Sequence, residues 1–436
     1  MTAPLQPSGW YPDPSGVRDR VVPVQPTDDV FYSYPGSTPL AGIAPGTVLK
    51  TRPIAYNVLG VPTSLKTTQL LYRSTSQTGN PTINVTSVIQ PLSQRDKTKV
   101  ISYQSAYDSL NRNDEPSYAI SGGLTLGGIV PNVELAIFGS FLADGYTVIV
   151  PDTEGQRADF AAGPEYGMNT LDSMRAAFGS PTVGLAQDAK VAMLGYSGGA
   201  IATEWAAELA PKYAPDVNAR MIGAAMGGVL VDPAHNLHYV EGTYFWDGVM
   251  PMAIIGIGRA FEVDFTPYLS PYGVQIFHDM QTASIVNVLG QYWGLTWTDL
   301  VSPAYPTPES LPLYVKLANK LIMGTGGTPT IPLFIGQGAN GELEWTPGNK
   351  TGIGAGDGVM IAGDVRTLAR GYCAKGTTVH YEEYELLSHI TSIAVWLPNS
   401  IGWIRQRFDG VPAPQNCSSI KAGNSLAPLS VPPENQ

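Results

Sequence analysis

KVAMLGYSGGA, residues 190–200, places a serine between glycines where an apolar run gives way to a helix-forming sequence. Val191–Leu194 is apolar without interruption, as in a strand buried on both faces, and the residues after Gly199 have helical composition. In a G-x-S-x-G turn, glycines two positions before and after the serine let strand and helix approach without collision. Gly195, Ser197 and Gly199 match this pattern. The stretch therefore predicts a nucleophile elbow, against the alternative of an ordinary Gly-Ser turn.

The composition limits the classes of protein to consider. The chain has 436 residues, 43% of them hydrophobic, which is enough to bury a large core. Charged residues make up only 14%, against roughly 25% in an average soluble protein, and such surfaces are common outside cells. A net charge of −11 and a pI near 4.9 argue against a nucleic-acid partner, because phosphate binding needs basic patches.

Neither a signal peptide nor a membrane-spanning segment is recognisable in the sequence as written. Residues 1–10 have neither a basic flank nor an apolar core, so they do not form a signal peptide as written. No apolar stretch approaches the ~18 residues that a spanning helix needs. We expect a secreted, extracellular protein whose leader is missing from this numbering, with no integral membrane association.

Strand-like and helix-like segments alternate through most of the chain. The predicted strands are 69–74, 82–89, 98–103, 146–152, 190–194, 221–226, 331–336 and 378–384. The predicted helices are 133–143, 166–178, 198–209, 361–372 and 390–407. This alternation is typical of an α/β protein with a doubly wound, mostly parallel sheet. The proline-rich first 50 residues, with an aromatic cluster at 31–34, indicate an ordered wrap over the body.

One region, 232–325, has apolar helical segments without any alternation. We interpret it as an inserted helical cap, or lid, between a first core part at 1–231 and a second at 326–436. Such an insertion would stand over the edge of the sheet where α/β ligand sites form. Candidates for an apolar acyl-binding wall, or else for packing inside the cap, are Phe245, Trp246, Met250, Met252, Tyr292 and Trp293.

An elbow serine needs a base, because its hydroxyl is a poor nucleophile until a histidine takes its proton. In hydrolases with such an elbow the histidine comes last in the chain, after the acid. His235, His238 and His278 fall in the presumed cap, and His380 lies inside a predicted strand. His389 follows that strand, immediately before the last helix, and is the predicted base; the alternative is a histidine that caps the helix.

The acid is sought after the strand 331–336, where the chain offers Glu342, Glu344, Asp357 and Asp364. Asp357 is the best choice, since it stands in a Gly-Asp-Gly turn directly before a predicted helix. Asp364 falls inside that helix and would be turned away. The alternative for Asp357 is an ordinary helix N-cap.

The two cysteines, Cys373 and Cys417, both lie in the last quarter of the chain. An even pair is compatible with one disulfide that ties the C-terminal segment to the body. Two unpaired buried thiols are the alternative.

Four segments together are similar to a known family. They are 100–104 (VISYQ), 145–155 (GYTVIVPDTEG), 195–200 (GYSGGA) and 372–376 (YCAKG), the last leading to His389. They resemble the yeast-type lipase A, or secretory lipase, family of α/β-hydrolases. The resemblance implies Ser197, Asp357 and His389 as a catalytic triad, a helical cap over the site, and a bridge from Cys373 to the C-terminal segment.

Two groups are expected to form an oxyanion hole. The backbone N–H of Gly198 follows from the elbow, because the amide after the nucleophile faces the developing oxyanion. The resemblance implies Asp108 as the second contributor. Asp108 is otherwise an ordinary loop carboxylate.

We therefore expect a monomeric serine hydrolase that cleaves carboxylic esters, acylglycerols above all, through an acyl-enzyme. No metal or organic cofactor is expected, because the sequence has no Cys-rich run, H-E-x-x-H or P-loop. Contact with a lipid interface would be transient. The alternatives are a peptidase or amidase with the same triad, and a catalytically inactive lipid-binding protein on the same scaffold.

Overall fold

Nine strands form one sheet in the part of the chain that the computed structural model describes, residues 22–92 and 95–433. They are β1 (Val48–Val58), β2 (Val61–Thr75), β3 (Pro81–Ile89), β4 (Lys99–Gln104), β5 (Thr147–Pro151), β6 (Lys190–Tyr196), β7 (Met221–Gly227), β8 (Leu333–Gly338) and β9 (Val379–Tyr384). Residues 1–10, on which the expectation of a missing leader depends, lie outside the described residues.

The strand order is β1-β2-β3-β5-β4-β6-β7-β8-β9. The six strands from β5 to β9 run parallel, and β1, β2 and β3 extend the sheet as an antiparallel meander. The predicted mostly parallel α/β sheet is confirmed. Because the carboxyl ends of parallel strands meet at one edge, the loops after β4, β6, β8 and β9 come together there.

Strand β1 is absent from the predicted set, and β2 starts at Val61, earlier than predicted. The two strands are joined by the two-residue turn Leu59-Gly60, whose φ angles are 49° and 70°. Such a turn suits the right-handed twist of a hairpin. The first part of β2 is polar and largely exposed, and Pro53 stands in the edge strand β1, so neither segment shows the apolar run of a central strand.

Fourteen α-helices are found in the described residues. They are α1 (Pro116–Ile120), α2 (Ile129–Val133), α3 (Leu135–Ala143), α4 (Gly163–Gly179), α5 (Gly198–Tyr213), α6 (Pro215–Asn218), α7 (Pro233–Val240), α8 (Val249–Ala260), α9 (Pro271–Asp279), α10 (Ile285–Val288), α11 (Trp297–Leu300), α12 (Pro312–Ala318), α13 (Ala362–Ala374) and α14 (His389–Phe408). Short 3₁₀ turns include Gly341–Glu344 and Cys417–Ser419.

The central strands are buried on both faces, and β6 shows how. Val191 and Met193 join an apolar cluster with α4, α5 and α13, whereas Ala192 and Leu194 join a second cluster with α3 and α14. Alternate side chains of a strand point to opposite faces, so helices must cover both sides of this sheet. This is why β6 reads as an uninterrupted apolar run.

The segment between β7 and β8 is helical, from α7 to α12, and supplies most of an apolar cluster that includes Met252, Trp297 and Leu300 and also takes in Phe160 and Val359 from outside the segment. We refer to it below as the insertion. It contacts the loop after β4 directly: Ile285 N donates to Asp108 O at 2.8 Å, and Leu110 N donates to Ala283 O at 2.7 Å.

The two ends of the described chain pack against the body. Phe31 and Tyr32 form a small cluster with Leu71 and Val85 of β2 and β3. Cys373, near the end of α13, forms a disulfide with Cys417 across 44 residues. The alternative of two free thiols is therefore wrong. None of the described helices is long and apolar enough to cross a membrane.

Replacing both cysteines, Cys373→Ser with Cys417→Ser, is expected to lower the free energy of unfolding by about 3 to 4 kcal/mol, because the bridge restricts the unfolded chain. Urea unfolding of the wild-type and variant proteins measures the difference. Wild-type protein unfolded with a reductant should behave like the variant. Two titratable thiols in denatured, unreduced wild-type protein would contradict the bridge.

Candidate active site

Ser197 stands in a strained turn between β6 and α5. Its φ of 56° and ψ of −121° lie outside the regions that residues with a side chain ordinarily adopt. The strand and helix approach so closely that a Cβ on Gly195 would lie 2.2 Å from Gly199 O, and one on Gly199 would lie 2.1 Å from Gln104 O. Only glycine fits at these two positions. Ser197 remains partly exposed at the edge of the sheet.

Three predicted residues form a row of hydrogen bonds. Ser197 Oγ lies 2.8 Å from His389 Nε2, and His389 Nδ1 lies 2.9 Å from Asp357 Oδ2. His389 is the first residue of α14 and is only 3% exposed, while Asp357 is fully buried. The arrangement can move a proton from the serine hydroxyl to an imidazole whose far side is fixed by a carboxylate.

Every oxygen of the Asp357 carboxylate has a partner. Oδ1 accepts from the amides of Val359 (3.1 Å) and Met360 (2.7 Å), and Oδ2 accepts from Gln337 Nε2 (2.8 Å) as well as from the imidazole. The backbone adds a further bond, since His389 N donates to Asp357 O at 2.7 Å. These contacts fix both members of the pair in position.

The charges around His389 favour its protonated form. Burial by itself lowers the pKa of the imidazole, but Asp357 raises it, and Glu344 and Asp108 add to that effect. The net result is a pKa above the ordinary value for histidine. An imidazolium that forms here is therefore stabilised by three carboxyl groups.

None of the other carboxylates considered as the acid has a hydrogen bond to the His389 ring among the described residues. Glu342 is exposed. Glu344 accepts from Trp246 Nε1 at 2.7 Å. Asp364 points into a different contact, 3.0 Å from His235 Nδ1.

The remaining histidines also have partners away from Ser197. His238 contacts Glu241 and Glu309, His380 contacts Glu382, and His278 is an exposed residue beside Asp279.

The structure brings Asp108 against Gly198, with its carboxylate over the Gly198 Cα, where a Cβ would overlap Asp108 Oδ1. Asp108 has a φ of 28° and a buried side chain. Burial raises the pKa of its carboxyl to about 7; His389 and its own amide lower it in part, and Glu134 raises it further.

Buried carboxylates support this loop from behind. Glu154 accepts from Ser109 N at 3.0 Å, and Glu134 accepts from Ala106 N at 2.9 Å.

The candidate wall residues fall into three groups. Trp246 is buried, and its ring meets the His389 ring edge-to-face, with 5.3 Å between centroids. Phe245 is half-buried and contacts Trp246. Met250 and Met252 are buried within the apolar cluster of the insertion. Trp293 is 72% exposed and Tyr292 half-buried, so Trp293 belongs to the outer surface.

A family model for the secretory lipases matches residues 122–348 and 351–416. The chain belongs to the secretory lipase family. It is 29% identical over 429 residues to Lipase 4 of Candida albicans, an alignment that covers 95% of this chain and 88% of that one. This secretory lipase is thus a carboxylic-ester hydrolase of the lipase or esterase type.

Two further similarities bear on the site. The closed-state crystal structure of Candida antarctica lipase A superposes with a TM-score of 0.78 and 27% identity, covering 95% of this chain and 93% of that one. A Mycobacterium tuberculosis protein named a probable inactive lipase is 29% identical, covering 91% of this chain and 85% of that one. The resemblance to secretory lipases and the α/β-hydrolase fold are therefore confirmed.

Sequence reasoning missed Gln337 and Tyr196 as neighbours of the Asp357–His389 pair in this secretory lipase, and it considered Glu344 only as a candidate acid. Gln337 donates to Asp357, Tyr196 donates its hydroxyl proton to His389 O at 2.6 Å, and Glu344 binds Trp246 beside the imidazole. Tyr196 is the last residue of β6 and Gln337 the residue before the last of β8, and a polar group at the carboxyl end of a parallel strand was a usable signal. Among the described residues, no group of three or more His, Cys, Asp or Glu side chains has an arrangement that would hold a metal ion.

The pKa of His389 should fall in the variant Asp357→Asn, because the largest charge that raises it is lost. NMR titration of the histidine ring protons measures the change. Asp364→Asn is the matched control, since that carboxylate contacts His235 instead. Equal His389 titrations in the two variants would contradict the electrostatic role of Asp357.

Proposed function

We propose that this secretory lipase hydrolyses acylglycerol esters through an acyl-enzyme on Ser197. Ser197 Oγ attacks the ester carbonyl while its proton passes to His389 Nε2. Asp357 holds the Nδ1–H and stabilises the imidazolium. His389 then gives the proton to the leaving alcohol, and water releases the acid by the same route in reverse. The proposal rests on two distances: 2.8 Å between Ser197 Oγ and His389 Nε2, and 2.9 Å between His389 Nδ1 and Asp357 Oδ2.

The proposed oxyanion hole consists of the backbone N–H groups of Gly198 and Asp108. Gly198 N lies at the start of α5, where the helix dipole also favours negative charge. The Asp108 carboxyl would oppose an oxyanion if it were charged. Its pKa of about 7 means that a large share of the molecules carry it neutral at and below pH 7.

An ester substrate is favoured by the apolar surroundings of the histidine. Trp246 covers one side of the imidazole, and Phe245 extends this surface outward. The insertion, which spans most of 232–325, would then serve as the cap that shields the acyl chain.

Activity is also favoured over an inactive, lipid-binding role. One relative is named a probable inactive lipase, but here the serine, imidazole and carboxylate stand within hydrogen-bond reach of one another.

An apolar rim points to a lipid–water interface as the place of action. We use this name for six large, exposed side chains around the site: Tyr244, Trp293, Leu343, Trp345, Leu386 and Ile390. Aromatic contacts join one rim residue to the histidine, since Trp345 contacts Phe245, Phe245 contacts Trp246, and Trp246 contacts His389. Tyr244 and Trp293 contact each other. The chain carries a net charge of −11, so an uncharged lipid surface suits it better than an anionic one.

We further propose that the protein is secreted and is a monomer. The family is a secretory one, and disulfides such as Cys373–Cys417 persist in oxidising compartments outside the cytosol.

Ser197→Ala is expected to lower ester hydrolysis by about 10⁴-fold or more and to abolish labelling by a fluorophosphonate, because the attacking oxygen is lost. Rates on p-nitrophenyl esters and active-site labelling measure this, with circular dichroism to verify folding. The exposed Ser37→Ala serves as the control. Retained turnover in Ser197→Ala would refute the mechanism, and faster cleavage of peptide than of ester substrates would favour a peptidase.

Trp293→Ala and Trp345→Ala should each slow hydrolysis of an emulsified triglyceride by about threefold to tenfold more than hydrolysis of a soluble short-chain ester, because less apolar area enters the lipid. Val61→Ala, an exposed apolar residue in the β1–β2 hairpin, is the control. Equal losses on both substrates would mean that the rim does not bind the interface.

A further inference from the structure

Glu344 occupies a buried position between the insertion and the last helix. It ends the 3₁₀ turn Gly341–Glu344 in the loop between β8 and α13, and it is only 6% exposed. Its two oxygens accept from two separate elements. Oε2 accepts from Trp246 Nε1 at 2.7 Å, and Oε1 accepts from Ile390 N at 2.7 Å.

Both donors stand next to His389. Trp246 packs its ring edge-to-face on the imidazole, and Ile390 is the residue after His389 in α14. The amide of Ile390 is among the first N–H groups of the helix, which have no partner within it, and a carboxylate there also complements the helix dipole. One side chain thus links the covering indole to the start of the helix that carries the histidine.

The Glu344–Trp246 hydrogen bond is tightly packed against the residues next to Asp357. Gly358, next to Asp357, has a φ of 128°, and a Cβ there would lie 2.8 Å from Glu344 Oε2 and 2.9 Å from Trp246 Nε1. The Glu344–Trp246 hydrogen bond therefore lies directly against the backbone of the turn that holds Asp357. Any displacement of the indole would therefore disturb both its own contact with the imidazole and the turn that holds Asp357.

We infer that Glu344 is a positioning residue for His389: it fastens Trp246 of the insertion to the first turn of α14 and so holds the imidazole between the indole and Asp357. A carboxylate suits this position because each N–H donor meets an oxygen of its own, whereas a glutamine in the same orientation would turn its NH₂ group toward one of the two donors. Segment 243–247 can leave the imidazole only if the Glu344–Trp246 bond breaks, so the same contact fastens the insertion over the site. This inference rests on the proposed role of His389 as the base.

The charge of Glu344 has a second effect on His389. The groups that face the imidazole are Asp357 on the loop before α13, Glu344 on the turn after β8 and Asp108 on the loop after β4, and all three raise its pKa. Replacing Glu344 by a neutral side chain removes one of these charges. The imidazole should then hold its proton less tightly, and its pKa should fall.

The test compares Glu344→Gln with Glu342→Gln, an exposed carboxylate on the same turn. For Glu344→Gln we expect kcat/KM on a soluble ester to fall several-fold, mainly in kcat, and the NMR titration midpoint of His389 to move to lower pH. Glu342→Gln should change neither. A wild-type midpoint in folded Glu344→Gln overturns the inference, because a merely structural role would leave the titration of His389 unchanged.

Trp246→Phe tests the same contact without altering a charge. It removes only the indole N–H that Glu344 accepts, so kcat should fall while the His389 midpoint stays near that of wild type. The double variant, Glu344→Gln with Trp246→Phe, should have a kcat little lower than that of Glu344→Gln, because both changes break the same hydrogen bond between Trp246 and Glu344. Fully additive losses overturn the inference. Wild-type kcat in Trp246→Phe overturns it even where Glu344→Gln does not fold. Turnover by Ser197→Ala would instead refute the proposed mechanism as a whole.

Discussion

The close approach of β6 to α5 at Ser197 is the constraint on which the rest of the site depends. A serine at φ 56° and ψ −121° costs free energy and persists only where its surroundings enforce it. Gly195 and Gly199 make that possible, since any Cβ at either position would collide with backbone atoms. The resulting turn places the hydroxyl at the carboxyl edge of the sheet, 2.8 Å from an imidazole that follows β9.

Buried carboxyl groups hold several loops and helix ends in position at the carboxyl edge of the sheet. Each accepts a hydrogen bond from backbone amides: Glu134 from Ala106 N, Glu154 from Ser109 N, Asp357 from the amides of Val359 and Met360, and Glu344 from Ile390 N. In each case a carboxyl oxygen satisfies backbone N–H groups of a loop or helix end that would otherwise be unpaired in a dry environment. Burial raises the pKa of Glu134 and Glu154, as it does for Asp108. The site is thus acidic in composition while carrying less negative charge than its sequence suggests.

The insertion is tied to this edge at several points. Ala283 and Ile285 pair with the backbone of the Asp108 loop, and Arg259 of α8 donates to Leu110 O at 2.8 Å. Gly256 of α8 approaches Phe160 so closely that a Cβ would lie 2.3 Å from its carbonyl oxygen. Trp246 adds the contact with Glu344. The insertion is therefore held at this edge by backbone pairing with the Asp108 loop and by side-chain contacts with the loop before α13, among them the Trp246–Glu344 hydrogen bond.

The sequence alone determined the parallel α/β core, the elbow at Ser197 and the position of His389, because each depends on local patterns: apolar runs, glycine spacing and the order of strands and helices. It narrowed the acid to four carboxylates and favoured Asp357 from its place before a helix. It did not reveal β1, since an edge strand buries too little apolar surface to leave a continuous signal. Only the tertiary structure decided that Trp293 faces outward, that Gln337 and Tyr196 hold the Asp357–His389 pair, and that Glu344 joins Trp246 to Ile390. Those partners are separated by up to 193 residues, and local periodicity carries no information about which side chains meet across such distances.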